Sequence, residues 1–345
     1  MMTIEKLVRP SILALKPYSS ARDEYSGTAG FFLDANECPF NAPFNRYPDP
    51  HQRKLKNKIA EITGTNSDNI FLGNGSDEAI DLLIRAFCEP AFDEVLAMDP
   101  SYGMYEVAAG VNNVQIKKVR LNADFSINPE AMLEALNNKT KLVFLCSPNN
   151  PTSNSLLASS VEKIIIEFNG LVILDEAYID FSTAPSFLDK LSRYKNLVIL
   201  RTFSKAWGLA GIRLGMAFAD PEVISILDKI KYPYNVNILT QEKALEALIS
   251  PEKKNLWVQT ILAERENLSN RLKQFPWIRM IYPSDANFLL VKVLDPVKVY
   301  SWLVKNSIII RDRSSVALCE GCLRITVGTP DENTALIQSL LEYKE

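Results

Sequence analysis

The stretch TFSKAWGLAGIRLG, residues 202–215, follows the apolar run Leu197-Val198-Ile199-Leu200 and leads through small residues to a second apolar segment near Met216. The first run has the length of a buried strand. Lys205 therefore sits where a strand ends. Hydroxyls flank it at Thr202 and Ser204, and Arg213 lies eight positions on, among glycines that let the backbone come close to whatever fills the space. A lone lysine after a strand is an ordinary surface residue. Its meaning depends on what other segments bring to it.

Working outward, apolar segments recur at 95–98, 115–119, 142–146, 171–174, 197–200 and 216–219, and helical spacing fills several intervals, as at 129–137 and 159–168. Apolar strands alternating with helices predict an α/β unit with a mostly parallel sheet covered on both faces. Ligands in such sheets bind beyond the carboxyl ends of the strands, and the polar clusters fall at those ends. Asp99-Pro100-Ser101-Tyr102 follows one strand, Ser147-Pro148-Asn149-Asn150 another, and Asp175-Glu176-Ala177-Tyr178 a third. Farther back, a helix over 51–63 precedes Asn69-Ile70-Phe71-Leu72, the turn Gly73-Asn74-Gly75-Ser76-Asp77-Glu78 and an amphipathic run through Phe87. Strand, glycine turn and helix start offer free N–H groups and a positive dipole end to a phosphate. Capping by Ser76 is the competing reading.

A lysine amine whose pKa is lowered attacks carbonyls and is the usual tether of pyridoxal phosphate. A carboxylate at Asp175 suits a pyridinium nitrogen, Tyr178 a ring oxygen, and Tyr102 an aromatic face. The alternative for Asp175, a magnesium ligand in a nucleotide site, lacks a matching phosphate loop.

After about residue 240 the pattern changes to helices at 240–250 and 256–274 and short strands at 287–293, 308–310 and 323–327. The expected organisation is an N-terminal arm over 1–30, a large domain over 31–240, whose first twenty residues lead in from the small domain, and a small α+β domain over 241–345. A short strand is expected at Phe31-Phe32-Leu33. Arg311 and Arg324 each adjoin a strand, and two converging guanidinium groups would make an anion site.

A net charge of −3 gives no sign of an electrostatic nucleic-acid or anionic-membrane surface, while leaving room for local basic pockets. The N-terminal residues are too interrupted by charge and proline for a leader or a membrane span, and a cytoplasmic protein is expected. Five scattered cysteines and a single histidine, His51, argue for reduced thiols and against a zinc cluster.

Together, GNGSDE, DPSYGMY, SPNNPT, LDEAY, TFSKAWGLAGIRLG and LRITVGT occur in an order and spacing that resemble the fold-type I pyridoxal-phosphate aminotransferases of class II. Within them the chain is similar to the family acting on histidinol phosphate, from the LDANECPF segment near residue 33 onward. The resemblance implies pyridoxal 5'-phosphate as cofactor and no metal. It makes Lys205 the tether and proton carrier, Asp175 the partner of the pyridine nitrogen, Tyr178 and Asn150 the partners of the ring oxygen, and Tyr102 the stacking ring. Ser76, Asp77 and Glu78 in the glycine turn, with Thr202, Ser204 and Arg213, would complete the cofactor site. Arg324 and Arg311 would bind substrate anions, with Tyr18 and Asn36 closing over them. Tyr47 in RYPDP would reach the cofactor phosphate of a neighbouring subunit, implying a homodimer with shared sites. The implied reaction exchanges an amino group between L-histidinol phosphate and 2-oxoglutarate in histidine biosynthesis. Threonine-phosphate decarboxylation, aromatic-amino-acid transamination and a regulatory domain of the same fold are the alternatives. One departure is Ser153, where the family has glycine.

Overall fold

A computed structural model describes residues 3–18 and 31–344. The larger sheet has seven strands in the order β1-β7-β6-β5-β4-β2-β3. They are β1 (Ile70–Asn74), β2 (Glu94–Asp99), β3 (Gln115–Arg120), β4 (Thr140–Cys146), β5 (Leu171–Asp175), β6 (Leu197–Thr202) and β7 (Leu214–Phe218). Only β7 runs antiparallel to its neighbours, so the other six strands all point their carboxyl ends at one edge.

Strand alternation divides the side chains between two cores. Leu96, Val143, Leu145, Val172, Leu174 and Ile199 pack on one face, while Val95, Leu142, Phe144, Ile173, Val198 and Leu200 pack on the other. Both faces are dry, which is why these strands read as unbroken apolar runs. Burying each of these side chains contributes roughly 1.5–3 kcal/mol.

The helix Ser76–Phe87 buries Ile80, Leu83, Ile84 and Phe87 on the second face, and Ile4 and Val8 from the N-terminal segment join it there. Arg9 pins that segment through Glu89 at 3.1 Å.

The smaller sheet is antiparallel, in the order β10-β11-β9-β8. Its strands are β8 (Ile278–Ile281), β9 (Phe288–Val293), β10 (Arg311–Asp312) and β11 (Cys322–Thr326). Leu289, Val291, Leu323 and Ile325 meet Leu268, Leu272, Leu336 and Leu340 of two helices. The helix Ile238–Leu248 places Ala244 and Leu248 in the larger core. The chain passes from one core to the other along the next helix, Pro251–Leu272.

The expected strand at Phe31-Phe32-Leu33 is not formed, and Phe31 and Leu33 are 90% and 94% exposed. Among the described residues no strand pairs with this segment, so no ladder forms there. Hydrogen-bonded pairing near 308–310 begins only at Arg311, and β8 was not anticipated because its exposed Arg279 and Met280 break the apolar pattern. Among the described residues no helix is long and apolar enough to cross a membrane.

Ser153 adopts the left-handed conformation, φ 67°. The turn has kept the geometry that favours glycine, and the serine hydroxyl holds it by donating to the carbonyls of Thr152 at 2.6 Å and Pro283 at 3.1 Å.

Candidate active site

Because six strands share one direction, the segments after β1, β2, β4, β5 and β6 converge on one cavity of about 410 Å³. It is lined by Ser76, Asp77, Tyr102, Asn150, Asp175, Tyr178, Thr202, Ser204, Lys205 and Arg213 from the larger unit. Arg311, Arg313 and Arg324 come from the smaller one.

Asp175 forms the buried end. Its carboxylate is 2% exposed, accepts the Tyr105 hydroxyl at 2.8 Å and the Ala177 N–H at 3.0 Å. Burial pushes its pKa up to about 6 against those two donors, which pull it down. A cation brought against this carboxylate would restore its charge.

The Lys205 amine lies 5.3 Å from the centre of the Tyr178 ring. Its pKa is held below the ordinary ammonium value, chiefly by burial, then by Arg324; Asp175 and Asp77 oppose that shift. A larger share of neutral amine is therefore present at neutral pH. Tyr178 packs edge-on to Phe288 at 5.2 Å, so the smaller unit fixes its ring.

The opposite end is built to receive an anion. Gly75, φ 74°, caps the helix Ser76–Phe87, and no side chain accepts from its first N–H groups. Other helices here are capped by Asn128, Asp220, Asn237 and Thr329. Ser76 is thus not the cap, and the helix start keeps its donors. A Cβ on Gly215 would fall 2.1 Å from the Ser76 nitrogen, so glycine is what lets β7 lie against that turn. Arg213 reaches Asp77 at 3.5 Å and Ser204 at 3.4 Å, long contacts that an incoming anion can replace. The Tyr102 hydroxyl donates to Asp77 at 3.1 Å, holding its ring at the cavity wall. A cavity with a buried carboxylate at one end, an amine and aromatic rings between, and an anion cradle at the other fits pyridoxal phosphate in size and donor chemistry.

Arg324 crosses between the units, donating to the Asn150 side chain at 2.5 Å and lying over Phe288 at 5.3 Å.

Four expected site residues are placed elsewhere. Glu78 does not line the cavity; its carboxylate accepts from Asn74 and Asn235 and ties the glycine turn down. Tyr47 stacks on Tyr234 at 4.6 Å in a separate groove shared with Asn36. Tyr18 is 73% exposed and outside the cavity. Two contributors were missed. Tyr105 lies one helical turn beyond Tyr102, a spacing that puts both on one side. Arg313 lies two residues after Arg311, the strand period.

A second cavity, about 280 Å³, backs onto β5 and β6, but its main charges are already matched, Arg201 with Glu176 at 3.0 Å and Glu176 with Ser186 at 2.7 Å. It is satisfied structure.

Residues 39–340 match the family described as aminotransferase class I and II. Across its whole length the chain is 57% identical to a histidinol-phosphate aminotransferase of Parabacteroides distasonis, all of which it covers. The crystal structure of histidinol-phosphate aminotransferase from Clostridium acetobutylicum superposes with a TM-score of 0.79 at 26% identity, over 86% of this chain and 90% of that one. The enzyme of that name from Sinorhizobium meliloti, solved in complex with pyridoxal-5'-phosphate, gives 0.80 at 25% identity over 89% of each chain. This chain belongs to the class I and II aminotransferases and, within them, to the histidinol-phosphate aminotransferase family.

Proposed function

We propose that the protein transfers an amino group reversibly between L-histidinol phosphate and 2-oxoglutarate, a step of histidine biosynthesis, using pyridoxal 5'-phosphate. The observation that carries this reading is one cavity holding a buried carboxylate, a depressed amine and an arginine-lined outer wall. Pyridoxal phosphate, when bound, supplies a conjugated pyridinium that accepts the electron pair left by α-proton removal.

The chain's own residues do the rest. Asp175 keeps the ring nitrogen protonated by its negative charge, and Tyr105 keeps Asp175 oriented. Lys205 would take the proton from the substrate α-carbon and deliver it to carbon C4′ of the bound cofactor. Tyr178 and Asn150 would hold the ring oxygen of the cofactor, and Tyr102 would lie along one ring face. The helix start at Ser76 and Asp77, with Thr202, Ser204 and Arg213, binds the cofactor phosphate. Arg324 binds the substrate anion and, through Asn150, links it to the cofactor side.

The test is product analysis of purified protein supplied with the cofactor. Histidinol phosphate and 2-oxoglutarate are expected to yield glutamate and imidazole-acetol phosphate in equal amounts. Carbon dioxide from threonine phosphate without a keto product, or turnover of phenylalanine but not of histidinol phosphate, would replace this reading.

The working form is a cytoplasmic homodimer with shared sites. Tyr47 is 52% exposed and lies outside the cavity of its own chain, as a residue serving a neighbour would. Mixing Tyr47→Ala and Lys205→Ala dimers, each nearly inactive, is then expected to restore about a quarter of wild-type activity after subunit exchange, because half the dimers gain one intact site. Subunit exchange without recovery would exclude sharing.

A further inference from the structure

The mouth of the cavity carries more positive charge than Arg311 and Arg324 account for. Arg311 in β10 pairs directly with Arg324 in β11. Directly opposed residues of an antiparallel pair point to the same face. Arg313 continues that ladder, its N–H donating to the carbonyl of Cys322 at 2.9 Å. Two residues from Arg311, it returns to the same face. Leu323 and Ile325, which flank Arg324, face the helices of the smaller unit. The arginine face is therefore the one turned toward the cavity, which all three line.

Like charges placed opposite each other in a sheet are destabilising. Here no carboxylate neutralises them: among the described residues none of the three forms an ion pair. The intervening Asp312 is occupied instead by the Ser314 N–H at 2.8 Å and hydroxyl at 2.6 Å. The Nε of Arg313 is buried without a hydrogen-bond partner. Burial, then Arg324 and Arg311, make its charged form costlier than in water. An unpaired guanidinium nitrogen beside two like charges is an unfavourable arrangement that a bound anion would relieve.

We infer that Arg313 is a specificity-determining residue that selects the phosphate-bearing substrate over glutamate. The inference rests on the proposed reading of the outer cavity as the substrate's anion site. A phosphate monoester brings about −1.5 to −2 charge at neutral pH and three acceptor oxygens, enough to engage a third fork. A carboxylate has one charge and two oxygens. Arg324, alone in bonding to Asn150 on the cofactor side, serves both substrates, and Arg313 adds discrimination.

The experiment compares holoenzyme carrying Arg313→Gln or Arg313→Lys with wild type in both half-reactions, and measures inorganic phosphate as a competitor of glutamate. For Arg313→Gln, KM for histidinol phosphate is expected to rise about 10- to 100-fold, and KM for glutamate less than about 3-fold. Inhibition by inorganic phosphate should weaken by a factor like that for histidinol phosphate. Arg313→Lys should recover part of the loss, since charge returns without the planar fork. It also decides the matter if the glutamine variant does not fold. Equal rises in the two KM values, or unchanged phosphate inhibition, would overturn the inference. If wild type itself fails to turn over histidinol phosphate, the proposed substrate is wrong, and phosphate competition alone then decides the role of Arg313.

Discussion

Lys205→Ala is expected to lower transamination by about 10⁴-fold or more, because in the proposed mechanism one amine serves as both nucleophile and proton carrier. No other side chain in the cavity can replace it. The remaining cationic groups there are guanidiniums, which stay protonated, and Tyr102 and Tyr178 have their pKa values pushed upward by burial. Lys205→Arg should be equally inactive, since it keeps the charge and loses the base. Single-turnover transfer from glutamate measures the chemical step without product release. Either variant retaining activity within a hundredfold of wild type would mean that another group moves the proton. Loss of the amine should leave the fold intact, because Lys205 makes no ion pair among the described residues and its neighbour Phe203 carries the packing.

Asp175→Asn should separate catalysis from stability, with opposite signs. Without the negative charge the ring nitrogen is no longer held protonated, and kcat is expected to fall by about 10²–10³-fold. The cofactor-free protein should gain stability above pH 6. The carboxyl titrates at about 6 in the folded chain against an ordinary 3.8. The folded state therefore binds the proton more tightly than the unfolded one between those values, and stability falls as pH rises through that window. The loss is complete above the folded pKa and amounts to about 3 kcal/mol at 1.36 kcal/mol per unit. Asparagine removes the charge and keeps an acceptor for the Tyr105 hydroxyl or the Ala177 N–H. Urea unfolding of the cofactor-free variant should show a gain of roughly 1–3 kcal/mol at pH 8 that vanishes near pH 4. A variant less stable than wild type at pH 8 would show that the charge is compensated in the folded protein.

Much of this site could be read in the chain because each group sits just beyond an apolar run. Asp175 ends Leu171-Val172-Ile173-Leu174, and Lys205 follows Leu197-Val198-Ile199-Leu200 by a few residues. Strand length and direction then bring such groups to one edge. The capping of the helix Ser76–Phe87 could not be read, since a serine after a glycine suits both a cap and a phosphate turn. The choice of Gly75 as cap depends on its positive φ and on β7 lying against it.

The sequence by itself determined the elements and the chemical types: apolar strands for a two-faced sheet, a lysine, a carboxylate and arginines at strand ends. These follow from local periodicity and side-chain chemistry, which short stretches carry in full. Tertiary structure alone decided which groups meet. Glu78 turned from the cavity to Asn74 and Asn235, Tyr47 was placed outside its own chain's site, and Tyr105 came onto Asp175 from 70 residues away. It also put Arg313 beside Arg324 through the β10–β11 register. The Tyr105–Asp175 and Glu78–Asn235 pairings depend on the packing of distant segments, which no local window contains together.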